Sequence, residues 1–420
     1  MNPFAVGSRP PSREAWISAR VKDIAPYVNR GTAPTYADDD TGYVAISQKC
    51  VTQRHLVDPT QARPMLAVSE GAPEILRADD ICINSTGTGT LGRVGIFTNG
   101  NLIDVTPVAD GHVTIVRVER KLVEPRFLWY LLSTRAFHEV VNSCLAVGST
   151  NQMELGRDAI RALGISYPPL HEQRHVMEFL DTETARIDEF VAEQEHLGQL
   201  TAEMAMARRE WQFASRITEA RPLVTFLQHA PTYGVLVPSF EDSGVPFVRV
   251  GDILGVGRGM TPERCIGEDQ SHEYRRTVLQ TNDVLVSVVG SLGHSAVVPR
   301  SLEGANVARA VCVLRPRSDV PAVVLAEFVK TRLYQDQALL ATGTDTAQPT
   351  LNMGDLAKFK IPLPTDLGER NHLADVLLAA RDHAESLKDE IKANLELLRE
   401  HRQALITAAV TGGLDAVRTV

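Results

Sequence analysis

Asp79-Asp80-Ile81-Cys82-Ile83-Asn84-Ser85 is written a second time further along the chain, as Asn282-Asp283-Val284-Leu285-Val286-Ser287-Val288. Each copy is a polar pair followed by a mostly apolar run, then a glycine loop and a Leu-Gly step, Leu91-Gly92 or Leu292-Gly293. A short apolar run bounded by turn residues reads as a buried strand. The correspondence continues outward. Leu132-Ser133-Thr134-Arg135 matches Val329-Lys330-Thr331-Arg332, both read as lying inside short amphipathic helices. Gly148-Ser149-Thr150-Asn151-Gln152-Met153-Glu154-Leu155 matches Gly343-Thr344-Asp345-Thr346-Ala347-Gln348-Pro349-Thr350-Leu351 with one extra residue. Ile165-Ser166-Tyr167-Pro168 matches Ile361-Pro362-Leu363-Pro364, and each copy then enters a long helix. The whole order of strand, loop, strand, short helix, turn, strand and long helix occurs twice, so the chain is an internal two-fold repeat.

The long helices are predicted from seven-residue apolar rows. The first spans about Glu172 to Ser215, with Phe190, Leu197, Met204 and Trp211 in one row. A second row, Leu180 and Ile187, fades into Gln194, Thr201 and Arg208. The other helix spans about Arg370 to Val410 and carries Leu377, Ala384, Ile391, Leu398 and Leu405, flanked by Leu373, Ala380, Leu387 and Asn394. Sustained heptads with few breakers are a coiled-coil signature, and each helix would be roughly 60–65 Å long at about 1.5 Å per residue. Helices of matched length and matched rows are expected to pack on each other, with Asn394 either setting the register or marking a solvated edge. The predicted fold is α+β: two domains of twisted sheet and short helices, joined by two long helices that pack on each other as a coiled coil. The expected boundaries are 1–150 and 220–350 for the two domains, and 151–219 and 351–420 for the helices with their lead-ins.

A chain of 420 residues with 44% hydrophobic content is long enough for several domains and buries a sizeable core. It contains no apolar run of membrane-spanning length and no secretory signal pattern, so a cytoplasmic protein is expected. Its five cysteines, Cys50, Cys82, Cys144, Cys265 and Cys312, are scattered and never form a C-x-x-C pair, which argues against a disulfide framework and a structural zinc. The net charge of −9 is unevenly spread. Residues 1–150 hold 15 basic and 15 acidic side chains, whereas residues 151–219 hold 7 and 13. The acidity therefore belongs mainly to the first helix, and the bulk charge alone gives no support for nucleic-acid binding.

Gly87-Thr88-Gly89-Thr90-Leu91-Gly92 fits a dinucleotide-binding fingerprint, but that site needs a helix next. Here the continuation, Arg93-Val94-Gly95-Ile96-Phe97-Thr98-Asn99-Gly100, alternates and ends on Asn-Gly, so it reads as a strand after a hairpin turn. The corresponding place in the second half keeps only Val289-Gly290-Ser291-Leu292-Gly293. Phosphate-loop, methyltransferase, zinc-protease and nucleophile-elbow motifs are all missing, so binding is expected in place of catalysis, with no metal or cofactor of its own. Arginine outnumbers lysine 12 to 3 in residues 1–150, a bias that suits phosphate and guanine contact and that a GC-rich genome would also produce. The candidate DNA-contacting side chains are Lys49, Arg54, Thr88, Thr90 and Arg93 in the first half. In the second they are Arg249, Arg258, Arg275, Arg276, Ser291, His294 and Arg309. Taken singly, each reads more readily as a solvated surface residue than as a base contact.

Ile165-Ser166-Tyr167-Pro168-Pro169-Leu170-His171-Glu172-Gln173, the preceding Gly148-Ser149-Thr150-Asn151-Gln152, and the ending Ala404-Leu405-Ile406-Thr407-Ala408-Ala409-Val410-Thr411-Gly412-Gly413-Leu414-Asp415 resemble the specificity subunits of type I restriction-modification systems. The second half departs from that pattern, with Pro364-Thr365-Asp366-Leu367-Gly368-Glu369-Arg370 where Pro-Pro-Leu-x-Glu-Gln is expected. The resemblance implies a non-catalytic targeting subunit whose two target recognition domains each read half of a split, asymmetric double-stranded DNA site, and whose two long helices form an antiparallel coiled coil as the spacer. It further implies two methyltransferase subunits and restriction translocase-nuclease subunits as partners, which would carry S-adenosylmethionine and Mg/ATP. A coiled-coil assembly scaffold without sequence-specific DNA binding is the alternative, and a nicotinamide enzyme using the glycine loop is a weaker one.

Overall fold

The structure is a computed structural model that describes residues 16–52, 56–87, 89–98, 105–147, 153–217, 220–343 and 349–413. The architecture is α+β, and the repeat is carried by the sheets. In the first module a four-stranded antiparallel sheet runs in the order Tyr27–Arg30, Val113–Arg117, Ile81–Asn84, Val94–Ile96. A smaller sheet orders Arg63–Pro64, Tyr43–Ile46 and Thr106–Ala109, the last two strands parallel. In the second module the same places are taken by Thr232–Tyr233, Val311–Leu314, Val284–Ser287 and Ser295–Val297. Its smaller sheet orders Phe240–Glu241, Cys265–Ile266, Val245–Val248 and Asn306–Val307, again with a parallel final pair.

Burial on both faces explains why the central strands read as unbroken apolar runs. Ile81 and Ile83 pack under Phe127 and Leu128 of the helix Pro125–Leu132, while Cys82 points the other way, into a core with Ile46 and Ala109. Val284 and Val286 pack under Val324 and Phe328 of the helix Ala322–Val329, and Leu285 joins Val248 and Val307 on the opposite face. The polar residues before these strands also repeat in detail. Asp79 and Asn282 both hold positive φ (68° and 71°), a conformation that Asn and Asp tolerate best among residues with a side chain. The next residue is buried in each case, and Asp80 pairs with Arg117 (2.8 Å) as Asp283 pairs with Arg315 (2.6 Å). Each carboxylate also accepts a backbone N–H, from Arg77 or Gln280, at 2.8 Å.

Leu132-Ser133-Thr134-Arg135 and its counterpart do not lie inside a helix but at a joint between two. Ser133 and Lys330 end one helix, and Thr134 and Thr331 cap the next, their hydroxyls accepting from Phe137 N and Tyr334 N. The side-chain cap competes with continuation of the first helix and turns the chain there. Lead-in strands close each module, Ile17–Arg20 against Gly164–Tyr167 and Ala220–Pro222 against Lys360–Pro362.

The long helices are Leu170–Ala214 and Leu367–Thr411, 45 residues each. The chain divides into two compact units, one of Met1–Glu193 with Asn394–Val420 and one of Gln194–Ala393. In the first unit Val176 and Leu180 share a core with Ile406, Ala409 and Val410, and Arg402 pairs with Asp188 at 3.1 Å. In the second, Phe213 shares a core with Leu373, Ala374 and Leu377, and a Cβ on Gly198 would lie 3.8 Å from Ile391. The start of one helix thus meets the end of the other, which makes the pair antiparallel.

The rows of the second helix face inward as expected: Leu377 and Ile391 are buried, and Ala384, Leu398 and Leu405 are half-buried. Asn394 is exposed and marks a solvated edge. In the first helix the expectation is corrected. Leu180 and Ile187 are buried, but Phe190, Leu197 and Met204 are 56%, 40% and 72% exposed and Trp211 is exposed as well. The inward row passes instead through Thr184, Val191, Gln194, Gly198, Thr201, Ala205 and Gln212. Small residues on one helix give room to the bulky row on the other, as ridges-into-grooves packing requires. Periodicity finds the rows, yet it does not say which one meets the partner helix.

Candidate nucleic-acid interface

In both modules, loops from different parts of the sequence gather at one end of the main sheet. In the first, the parallel strands Tyr43–Ile46 and Thr106–Ala109 leave side by side, and Asp110 N donates to Ile46 O (3.1 Å). Ser85 N donates to His112 O and Leu155 N to Ser85 O, both at 2.8 Å. The glycine loop rises from the same place and leads into the strand Val94–Ile96, as the hairpin reading expects. Gly92 turns there with φ 73°, and a Cβ would come within 2.9 Å of Val141. Thr90 Oγ1 donates to Gln48 Oε1 (2.9 Å), Asn84 Nδ2 to Gln48 O (3.0 Å), and Thr86 Oγ1 lies 2.7 Å from His112 Nδ1.

Lys49, Thr90 and Arg93 are therefore brought to one polar rim. Lys49 is exposed. Arg93 is half-buried and donates to Val51 O (3.2 Å) and Gly89 O (3.5 Å), so it braces the loop from beneath. Its charge, after burial itself, helps hold the His138 imidazole below the ordinary histidine range. Burial pushes the Asp110 carboxyl up, opposed by His112 N, which donates to it at 2.8 Å. Arg54 and Thr88 lie outside the described residues.

The second module repeats the bonding with other side chains. Ala308 N donates to Val248 O (2.9 Å), Arg309 N to Val235 O (2.9 Å), Val288 N to Ala310 O (3.0 Å), and Leu351 N to Val288 O (2.8 Å). Arg249 and Arg309 emerge beside each other from the parallel strands and are exposed. Arg249 is paired with Asp252 (3.1 Å), whereas Arg309 makes no ion pair among the described residues. Ser291 and His294 belong to the adjoining hairpin, where His294 N donates to the Ser287 hydroxyl at 3.1 Å. Arg258, Arg275 and Arg276 are exposed but not part of this gathering. Arg275 and Arg276 precede Thr277, whose hydroxyl donates to Asn306 Oδ1 (2.8 Å) at the entry of the strand that Arg309 follows.

Sequence reading missed the residues that hold these ends together. Gly31 and Gly234 pass so close to the neighbouring strand that a Cβ would sit 1.9 Å from Ala109 O or 1.8 Å from Val307 O. Both fall in stretches where the two halves look unrelated, and only the glycine itself is shared. Gln173 is buried and joins Pro168 O (2.8 Å) to Glu124 N (2.9 Å). In the second module Arg370 takes that part, donating to Pro364 O (2.7 Å) and Asp319 (2.8 Å), so the altered signature keeps the same joint with a different side chain. Among the described residues no group of three or more His, Cys, Asp or Glu is placed to hold a metal, and no helix is long and apolar enough to cross a membrane.

Residues 14–195, the first module with the start of its long helix, match the family model of the type I restriction modification DNA specificity domain. The first module is thus similar to that domain family. The chain is 22% identical over 330 residues to the type I restriction enzyme EcoBI specificity subunit of Escherichia coli, covering 72% of this chain and 68% of that one. Its fold matches a chain solved in work on complex assembly and conformational transition of the type I R-M system (TM-score 0.74, 18% identity, 97% of this chain and 100% of the other). It also matches the HsdS subunit from Thermoanaerobacter tengcongensis (TM-score 0.56, 18% identity, 97% and 99%). At that identity the solved structures establish a shared fold, and they extend it to the second module, which the family model leaves uncovered.

Proposed function

We propose that this chain is the DNA-reading subunit of a type I modification or restriction complex, with each module addressing one half of a split, asymmetric site. The observation that carries this reading is the pairing of one bonding scheme with two unlike rims. Gln48, Lys49, Thr86, Thr90 and His112 line the end of one module, and Arg249, Ser291, His294 and Arg309 line the end of the other. A rigid sheet end that presents different donors and acceptors is what discrimination of base edges requires, while arginines not tied up internally supply salt-sensitive phosphate contact. The long helices serve as spacer and docking post. The exposed apolar row Leu197, Met204 and Trp211 favours a protein partner, which we take to be a methyltransferase subunit. Chemistry, S-adenosylmethionine and Mg/ATP then belong to two methyltransferase subunits and to the translocase-nuclease subunits, and this chain acts without a cofactor of its own.

Footprinting of the chain assembled with its methyltransferase partner on genomic DNA tests this. A protected motif in two halves separated by an unread gap is expected. Uniform or absent protection would return the chain to the class of assembly scaffolds.

A further inference from the structure

The second unit contains a cleft of about 840 Å³ whose lining includes Arg300, Arg315, Arg317 and Arg381, against one carboxylate, Asp283. The charged lining side chains are therefore mostly cationic, although Arg317 and Arg381 each also meet an acid at its edge, Asp319 and Asp382. The cleft opens where the strand Val284–Ser287 begins and Val311–Leu314 ends, the opposite end of the sheet from Ser291 and Arg309. A duplex held against the loop end does not reach it. Val298, Val320 and Leu378 provide apolar wall, and the first turn of the helix Ala322–Val329 borders the space, with the amides of Ala322 and Val323 outside the helical ladder.

The arginines are positioned but not saturated. Arg315 uses Nε and Nη2 on Asp283 and on Val278 O, and its Nη1 forms no bond among the described residues. Its counterpart Arg117 uses Nη1 as well, on Pro73 O at 2.7 Å. Arg317 reaches Asp319 only through Nε (3.2 Å), Arg381 touches the exposed Asp382 beside it, and Arg300 makes no ion pair among the described residues. Two residues beyond Arg117 the first module has Glu119, where the second has Arg317. The shared scaffold therefore does not account for the positive cleft.

We propose that this cleft binds a small ligand carrying two or more phosphates, of the nucleoside di- or triphosphate class or a bare polyphosphate. The volume is in the range of small-molecule sites, guanidinium forks match phosphate oxygens in pairs, and a helix N-terminus adds partial positive charge. Open duplex DNA is disfavoured by the concave shape and by the cleft's place away from the loop end.

Calorimetric titration of the full chain with ATP, pyrophosphate, adenosine and a short duplex lacking any target tests the assignment. Binding of ATP or pyrophosphate is expected, with adenosine silent; ATP binding more tightly than pyrophosphate marks a nucleotide, and equal binding marks a polyphosphate. The double variant R300Q/R317Q, whose side chains are exposed, is expected to weaken that binding at least about tenfold with an unchanged melting temperature. Adenosine binding as well as ATP, no heat from any phosphate at millimolar concentration, indifference to R300Q/R317Q, or displacement of ATP by the duplex would each overturn it.

Discussion

Arg117 and Asp80 form an ion pair that is almost wholly enclosed, with side chains 13% and 4% exposed. Burial pushes the Asp80 carboxyl up and the bonds from Arg117 oppose this, so the acid depends on its partner to stay charged. Arg117→Leu removes the partner and leaves a buried charge, and a loss of about 3–5 kcal/mol is expected. Asp80→Leu combined with Arg117→Leu should lose less than Arg117→Leu alone, a comparison that urea denaturation can make. Glu327 behaves differently. Burial would raise it, but Lys330 and Arg209, at 2.7 and 2.6 Å, outweigh burial and hold it below the ordinary 4.5. A carboxyl depressed on folding adds stability above its unfolded value, and that stability drains away as pH falls below about 4.5. Melting of the full chain should therefore drop on acidification through that region, and Glu327→Gln should flatten that part of the profile.

Among the elements, the first long helix carries the sharpest expectation because, of the two rows found by periodicity, the more apolar one faces away from the partner helix. Leu180 is fully buried, and Leu180→Ala should cost about 2–5 kcal/mol in thermal or chemical unfolding. Met204→Glu with Trp211→Glu sits on the exposed face and should leave the melting temperature of the isolated chain within about 2 °C while abolishing co-purification with the methyltransferase partner. Loss of folding in the second variant would mean that the face is structural. The ends of both helices and the glycine hairpin were legible in the sequence, since caps, heptads and Asn-Gly punctuation are local signals. The inward positions Thr184, Gly198 and Ala205 were not, because these residues become meaningful only opposite Ile391 and its neighbours.

For the whole molecule, the repeat was readable from four matched segments, and the strand orders extend it to elements whose sequences share almost nothing. Gly31 and Gly234 show why: a position fixed by a backbone contact across the sheet leaves one residue of trace in the sequence. Side chains at the loop ends leave none, since their partners are distant in sequence and the proposed ligand is external. Exchange of residues 220–343 for the corresponding segment of another specificity chain is expected to change one half of the methylated motif and leave the other half and the spacer intact. Sequencing of methylated genomic DNA reads both halves at once; a change in each would show that the modules do not act separately.

The placing of Ile406, Ala409 and Val410 in the core of the first unit bears on how the protein is made. A ribosome that has released Glu193 still has the whole of Gln194–Ala393 to synthesise before the segment that closes that core exists. At about 5–20 residues per second the delay is roughly 10–40 s. During it, Leu180 and the residues around it face solvent without their final cover. The nascent first module is thus a natural client for a holding chaperone, and the timing of translation becomes part of how the chain reaches its fold.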